Sequence, residues 1–544
     1  MPHADAARIG WKAAGKTGVV AAGGAGAVAA GLEILRAGGN AADTAAATIL
    51  ALNVTDHGQC SIGGEVPILI FDAKRSEVKA LSGQGGAPRA QAAIDWYMQN
   101  GIPRDDIKMA PVPSVVDSCI TLLQRYGSKP FAEIVGPTLA LLDAGQEPWH
   151  PNLARTLRRM VEEERLAVGT REEGLQAACD RFYGRNAERN DIAEELEAFY
   201  IEKGGFLRRT DLAAHRTLIE EPVTADYRGY TVCKCGPWTQ GPYLCQTLRL
   251  LEGFDLKSMG HLSADYVHVA VEAMKLAMAD RDAYYGDPAF VDVPLEALLS
   301  DAYTEIRRPL IDMRKASQEP RPGDPHGMRA LRGPGLFRPG VGGTTTCVVA
   351  DRWGNVVAAT PSANVHLTGG SGRAGVSYGN RLRSLNTTPG HPNCIEPGKR
   401  PRSTLTPTLV LRDDRPVLAI SVAGGDLQDQ TTLNLLLDFI EFGMAPETAV
   451  TAPRFATRHH QDSFDPNPVR ERTFGAPGSV IISDRTDPGV RDELARRGHD
   501  VQAQAGPIAK PVMLHADPAT GMYHAAGDPA AKRHAAGLDA SGTG

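Results

Sequence analysis

No stretch of the 544 residues holds the roughly 18 consecutive apolar side chains that a membrane-spanning helix needs. The opening, Met1-Pro2-His3-Ala4-Asp5-Ala6-Ala7-Arg8, lacks an apolar run behind a basic head, so no secretory signal is expected and a cytoplasmic location is. Cysteine is scarce. The eight present, at 60, 119, 179, 233, 235, 245, 347 and 394, include no CxxC pair. A chain this long needs no disulfide staples, so reduced thiols are expected. The 15 histidines include no HExxH or other ligand spacing, so neither a metal site nor a cofactor is implied. An excess of basic residues is also lacking: 58 Lys and Arg stand against 64 Asp and Glu, a formal charge of -6. That argues against a nucleic-acid partner and gives no reason to expect binding to anionic lipid.

What is present is apolar content of 42%, enough for a large core, with 58 Gly and 38 Pro marking many turns. Gly18-Val19-Val20-Ala21-Ala22 reads as a strand that turns through Gly24 and Gly26 into a helix. A dinucleotide-binding turn needs a third glycine at a spacing not met here, so close helix–sheet packing is the better reading. The helix through Leu32, Ile34 and Leu35 stops at Gly38-Gly39, and Asn40 caps the next, Ala-rich helix. Residues 115–146, 150–217 and 262–285 carry helical periodicity. Residues 317–343 differ: Pro320, Pro322, Pro325, Pro334 and Pro339 among glycines predict a mobile surface connector.

Beyond the connector the pattern turns to hairpins. Thr344–Ala350 and Val356–Ala359 flank Asp351-Arg352-Trp353-Gly354-Asn355, and Pro407–Leu411 and Val417–Val422 flank Asp413-Asp414. The second hairpin runs into Gly424-Gly425 and a helix with Leu433, Leu436, Leu437 and Ile440 on one stripe, closed by Gly443. Helices, a connector, then hairpins and a helix predict an αββα sandwich.

Two glycine pairs carry the chemistry. In Gly342-Gly343-Thr344-Thr345-Thr346-Cys347, glycine permits the dihedrals that let a threonine hydroxyl attack the carbonyl before it. Cleavage would free the α-amine of Thr344, whose reference pKa of about 8 suits a base for its own hydroxyl. Composition alone favours a plainer reading, a Gly-Gly loop entering a β-branched strand. Gly424 and Gly425, between a strand and a helix, would aim amides and a helix dipole at developing negative charge; an ordinary tight turn has the same composition. Ser362, Asn364, Ser403 and Thr404 lie between these pairs and fit turn chemistry equally well.

Longer segments tip the balance. Ala37–Asp43, Ser61-Ile62-Gly63-Gly64, Glu272–Lys275 through Ala279-Asp280-Arg281 to Gly286-Asp287-Pro288, Thr344-Thr345, Lys399–Thr408, Gly424-Gly425, Asp517–Gly521 and Gly527-Asp528-Pro529 resemble, in order, signatures of the gamma-glutamyltransferase family. The resemblance implies a four-layer αββα sandwich of the N-terminal nucleophile hydrolase type. It implies cleavage between Gly343 and Thr344 into a large fragment, 1–343, and a small one, 344–544, which stay associated. By the same resemblance Thr344 is the nucleophile, Ser362 orients its amine, and Gly424 and Gly425 donate to the oxyanion. Asn364, Ser403 and Thr404 fall at substrate-binding positions.

The departures bear on the substrate. Gln84 stands where the family has an arginine for the glutamyl α-carboxylate, and Arg381 and Ser384 stand where it has groups that grip the α-amine. A cation repels an ammonium group and a serine offers it less than a carboxylate. Arg381 would suit a carboxylate on an acyl group lacking the amine; alternatively it is a solvated surface arginine. By this resemblance the leading expectation is a self-processing gamma-glutamyltransferase-like hydrolase that cleaves a γ-glutamyl or related acyl amide bond of a small-molecule substrate with an acidic acyl group, through an acyl-Thr344 intermediate resolved by hydrolysis, acyl transfer or both. The alternatives are a member tuned to oxamate-type or dicarboxylic acyl amides, or to a carbon–carbon bond beside an oxalyl-like group, and an uncleaved, non-catalytic scaffold.

Overall fold

Strand Gly18–Ala22 is buried at every residue, and its side chains divide by parity. Val19 and Ala21 face one apolar cluster, Val20 and Ala22 another. Such two-sided burial requires a layer on each face. In the computed structural model, which describes residues 9–332, 344–363, 365 and 372–539, those layers are present.

Two seven-stranded sheets stack face to face. The first runs His534–Leu538, Gly18–Ala22, Cys347–Asp351, Val356–Ala359, Ile68–Asp72, Glu77–Leu81, Ile219–Glu220, with neighbours antiparallel throughout. The second runs Lys12–Gly15, Met522–Gly527, Lys510–Asp517, Arg415–Ala423, Thr408–Arg412, Tyr230–Lys234, Val223–Tyr227, again antiparallel. Leu69, Phe71, Val348 and Ala350 of the first meet Leu409, Ala419, Val512 and Leu514 of the second. Helices including Ala25–Arg36, Ala41–Thr55 and Val115–Tyr126 cover the outer face of the first sheet. Pro242–Leu251, Ala264–Tyr284 and Gln428–Ile440 cover that of the second. The architecture is the expected αββα sandwich. Segments before and after position 344 share both sheets, and Gly18–Ala22 lies between two strands of the later segment.

Local chemistry accounts for several boundaries. Asn40 Oδ1 accepts from Asp43 N and the Asp43 carboxylate accepts from Asn40 N, both at 3.0 Å, a capping box that starts Ala41–Thr55. Asp413 and Asp414, with φ of 50° and 57°, form the left-handed pair that a tight hairpin of this twist requires. Gly31 is needed for close helix packing: a Cβ there would sit 2.2 Å from Thr48 Oγ1. This packing, not a dinucleotide turn, explains the small residues after Gly18–Ala22.

Two expectations are corrected. The strand after the connector begins at Cys347, so Thr344 precedes it by three residues rather than starting it. The described part of the connector, residues 317–332, is not a loose surface segment but is strapped to helix Ala264–Tyr284. Glu272 Oε1 accepts from Ser317 N (3.2 Å) and Lys275 Nζ (2.7 Å), and Glu272 Oε2 from Arg321 Nη2 (2.8 Å). Asp280 Oδ1 accepts from Gly323 N (2.7 Å), and Arg307 Nη1 donates to Ala330 O (2.6 Å). Residues 333–343 lie outside the described residues.

Glu272 and Lys275 are each only 1% exposed at the side chain, so removing the carboxylate strands buried cations. Glu272→Gln is expected to cost about 3 kcal/mol, read as a lowered midpoint in thermal or denaturant unfolding. An unchanged midpoint would show that the strap contributes nothing.

Candidate active site

Thr344, Thr345 and Thr346 are buried ahead of strand Cys347–Asp351 and are held by the backbone and by an acid. Thr345 N donates to Pro361 O (2.9 Å), and Thr345 Oγ1 donates to Asp56 Oδ2 (2.6 Å). Asp56 follows helix Ala41–Thr55 and also accepts from Arg533 Nη1 (3.2 Å). Gly23 makes room for this contact, since a Cβ there would lie 2.2 Å from Thr345 Oγ1.

With its neighbour fixed, Thr344 presents its hydroxyl 3.5 Å from Ser362 Oγ. Gln428 approaches from the other side. The carbonyls of Thr404 (2.9 Å) and Val422 (3.1 Å) both require a donor, which orients the Gln428 amide nitrogen toward them. Its oxygen then lies 3.4 Å from Thr344 Oγ1.

Ser362 pairs with Glu65 through two backbone hydrogen bonds, each 2.9 Å. That bridge brings in a carboxylate. Glu65 Oε1 accepts from Arg381 Nε (2.7 Å), whose Nη2 donates to Ser362 Oγ (3.0 Å) and Nη1 to Thr404 Oγ1 (3.4 Å). Arg381 is 1% exposed, which overturns the reading of a surface arginine. Burial pushes the Glu65 carboxyl above its ordinary range, and the adjacent guanidinium pulls against that shift.

Gly424 and Gly425 follow strand Arg415–Ala423, with Gly425 at φ +60°, and lead through the short turn Gly425–Leu427 into helix Gln428–Ile440. A Cβ at Gly425 would meet the Phe464 ring at 2.9 Å. Gln428 lies three residues beyond Gly425, so its contact with Thr344 sets this turn beside the threonine. The Phe464 ring also lies under the guanidinium groups of Arg381 (5.2 Å) and Arg383 (4.7 Å).

The structure therefore gathers Thr344, Ser362, Arg381, Thr404 and the Gly424-Gly425 turn in one place. Ser384 ends the same short turn as Arg381 and has a buried hydroxyl with no hydrogen-bond partner. Ser403 is chiefly structural: its Oγ accepts from Leu405 N (3.1 Å) and its N donates to Trp238 O (2.8 Å). Gln84 is buried, donates to Gly85 O (3.1 Å) and leaves Oε1 without a partner; no hydrogen bond among the described residues joins it to Arg381 or Thr344. Gly343 and Asn364 lie outside the described residues. The segment after Ser384 is anchored, with Leu385 and Ile395 packed on Ile94 and Tyr97.

Sequence reasoning missed Glu65, Gln428, Asp426 and Phe464. Glu65 directly follows Ser61-Ile62-Gly63-Gly64, and Asp426 follows Gly424-Gly425, so adjacency to these motifs was the available signal. Asp462 belongs to the Phe464 segment; its Oδ1 accepts from Phe464 N (2.8 Å) and its Oδ2 is buried without a partner. Burial, and then repulsion from Asp426, push its carboxyl well above the ordinary range. Among the described residues no cluster of three His, Cys, Asp or Glu side chains is arranged to hold a metal ion, and no helix is long and apolar enough to cross a membrane.

An αββα sandwich whose buried threonine sits beside a glycine turn defines an enzyme of the N-terminal-nucleophile hydrolase class. Comparison with known proteins agrees. The family profile described as Gamma-glutamyltranspeptidase matches residues 27–172 and 148–538, and the chain belongs to that family. It is 31% identical over 483 residues to the "Glutathione hydrolase proenzyme" of Bacillus subtilis (strain 168), covering 81% of each chain. The solved structure of LmbA2991HD matches with a TM-score of 0.85 at 34% identity, over 99% of this chain and 100% of that one. A cephalosporin acylase from Bacillus halodurans matches with a TM-score of 0.81 at 25% identity, over 99% and 98%.

Asp462 binds its proton more tightly in the folded than in the unfolded chain. Stability from this group is therefore complete below about pH 4 and is lost as pH rises through the raised folded-state pKa. Asp462→Asn keeps the acceptor for Phe464 N. It is expected to stabilise the protein at pH 8 by at least about 1.4 kcal/mol more than at pH 4, the worth of one pKa unit. Equal midpoint shifts at the two pH values would contradict the assignment.

Proposed function

We propose that the chain cuts itself between Gly343 and Thr344, and that the freed Thr344 attacks the carbonyl of an amide substrate whose acyl group carries a carboxylate. The new α-amine serves as base for the Thr344 hydroxyl, and Ser362 orients that amine. The amides of Gly424 and Gly425 stabilise the oxyanion. The amine leaves protonated, an ester forms on Thr344 Oγ1, and water or an acceptor amine resolves it. The interleaving of both fragments in both sheets supports their continued association after the cut.

The observation that carries the substrate assignment is the buried Arg381 guanidinium, one hydroxyl away from the nucleophile. Glu65 occupies Nε and neutralises the charge in the absence of substrate. Among the described residues, the hydrogen-bond acceptors of Nη1 and Nη2 are the Thr404 and Ser362 hydroxyls, weaker acceptors than a carboxylate. Thr404 and Ser384 flank the guanidinium in this reading, while Asn364, Ser403 and Gln84 are assigned to the acyl pocket on the family resemblance alone. A reducing compartment such as the cytoplasm suits the eight buried free thiols.

Thr344→Ala protein is expected to remain one full-length species by mass spectrometry and to lose at least about 1,000-fold in turnover; a cut and active variant would refute the nucleophile assignment. For the substrate, Arg381→Gln combined with Glu65→Gln avoids leaving a lone buried acid. This pair should raise KM for the p-nitroanilide of glutaric acid by about 10- to 100-fold, as expected for losing a charge-assisted contact of ~1.5–3 kcal/mol. KM for an uncharged acyl anilide should change little, and equal effects on both would remove Arg381 from the acyl pocket.

A further inference from the structure

Gly424 and Gly425 have no side chains, so other groups must hold their amides in place. The next residue, Asp426, is almost surrounded by donors. Its Oδ1 accepts from Arg281 Nη1 (2.7 Å) and Ser463 Oγ (2.6 Å), and its Oδ2 from Ser463 N (3.0 Å). His460 Nδ1 lies 4.0 Å away. Burial alone would push this carboxyl up, but Arg281, His460 and the Ser463 donors outweigh it and hold Asp426 ionised.

Arg281 is fully buried on helix Ala264–Tyr284 and uses every face of its guanidinium. Besides Asp426 it donates to Gln240 Oε1 (2.8 Å), Gln461 O (3.0 Å) and Asp282 Oδ1 (2.9 Å). Asp282 in turn accepts from Gln461 N (2.8 Å) and Arg402 Nη1 (3.3 Å), and Arg402 Nη2 reaches Ser463 Oγ (3.2 Å). Residues 461–463 are thereby clamped to Arg281, Asp282, Arg402 and Asp426. Phe464, the next residue, presses against Gly425 and lies under Arg381.

We propose that the buried Arg281–Asp426 ion pair is the positioning element that holds the oxyanion glycines and the Phe464 wall of the acyl pocket in register. This rests on the reading of Thr344 as nucleophile and of Gly424 and Gly425 as oxyanion donors. Two physical requirements meet in the pair. A carboxylate one residue from the oxyanion donors opposes the charge that develops there unless a cation neutralises it at short range, which Arg281 does. A two-oxygen acceptor held by a planar five-donor fork also fixes the turn in rotation as well as in position.

The test uses full-length enzyme that has cut itself, with the p-nitroanilide of glutaric acid as substrate and rates expressed per cut molecule. Arg281→Lys keeps the charge but loses the fork, and Asp426→Asn keeps an acceptor but loses the charge. Each is expected to lower kcat by about 30- to 100-fold with KM within about threefold, the cost of misplaced rather than missing donors. The double variant should be little worse than the poorer single one, because both break one unit. Ser463→Ala cuts only the hydroxyl link to the wall and should raise KM about tenfold, a larger factor than its fall in kcat. A merely structural role would lower Tm or the cut fraction and leave kcat per cut molecule unchanged; kcat within about twofold in both single variants overturns the proposal. Should neither single variant accumulate in cut form, Ser463→Ala decides alone, and an unchanged KM is the refuting result. Turnover by Thr344→Ala would sink the underlying reading instead, whereas an inactive Thr344→Ala beside fully active Arg281→Lys and Asp426→Asn sinks only this proposal.

Discussion

The structure depends above all on one pairing: strand Gly18–Ala22 hydrogen-bonded between His534–Leu538 and Cys347–Asp351. It joins the start of the chain to its end and to the segment that begins at Thr344. Because the strand is buried on both faces, its register is fixed by two apolar clusters at once, and a one-residue slip would exchange them. The position of Thr344 follows from that register. Cys347 pairs with Ala22, and the Thr345 hydroxyl two residues ahead of it fills the space that Gly23 leaves open.

Around that fixed point the site is built from buried charges in pairs. Arg381 with Glu65 and Arg281 with Asp426 each place a full charge where burying one alone would be prohibitive. The pairing allows ionised groups to be buried near Thr344. It also divides the labour, with one pair beside the Ser362 hydroxyl and the other behind the glycine turn. Two aromatic contacts with Phe464 then close the distance between Arg381 and Gly425.

Features governed by near neighbours were readable in the sequence. Asn40 as a helix cap, Asp413-Asp414 as a turn and Gly424-Gly425 between strand and helix all depend on backbone preferences within a few residues, and each was found where expected. The αββα order followed from periodicity, hairpin turn signals and the connector between them, and the family resemblance implied the same. Features decided by distant partners were not readable. Proline and glycine in 317–332 report only the absence of regular helix or strand, read as mobility, whereas its attachment depends on Glu272 and Asp280, about 45 residues earlier. Arg381 was ambiguous between surface and pocket because its decisive partner, Glu65, lies 316 residues away. Resemblance to a family supplied Thr344, Ser362 and the glycine pair, but not the groups that hold them.

The interleaved sheets have a consequence for the history of the molecule. A strand enclosed by two strands of the later segment is brought between them at least entropic cost while the polypeptide is continuous. If Thr344 is later released, the two pieces inherit an arrangement reached as a single chain. Were they ever melted apart, recovery would require two separate molecules to meet and weave together, a process that slows with dilution and competes with aggregation. Maturation would then act as a ratchet, making the enzyme's lifetime depend on how slowly it opens rather than on how readily it refolds.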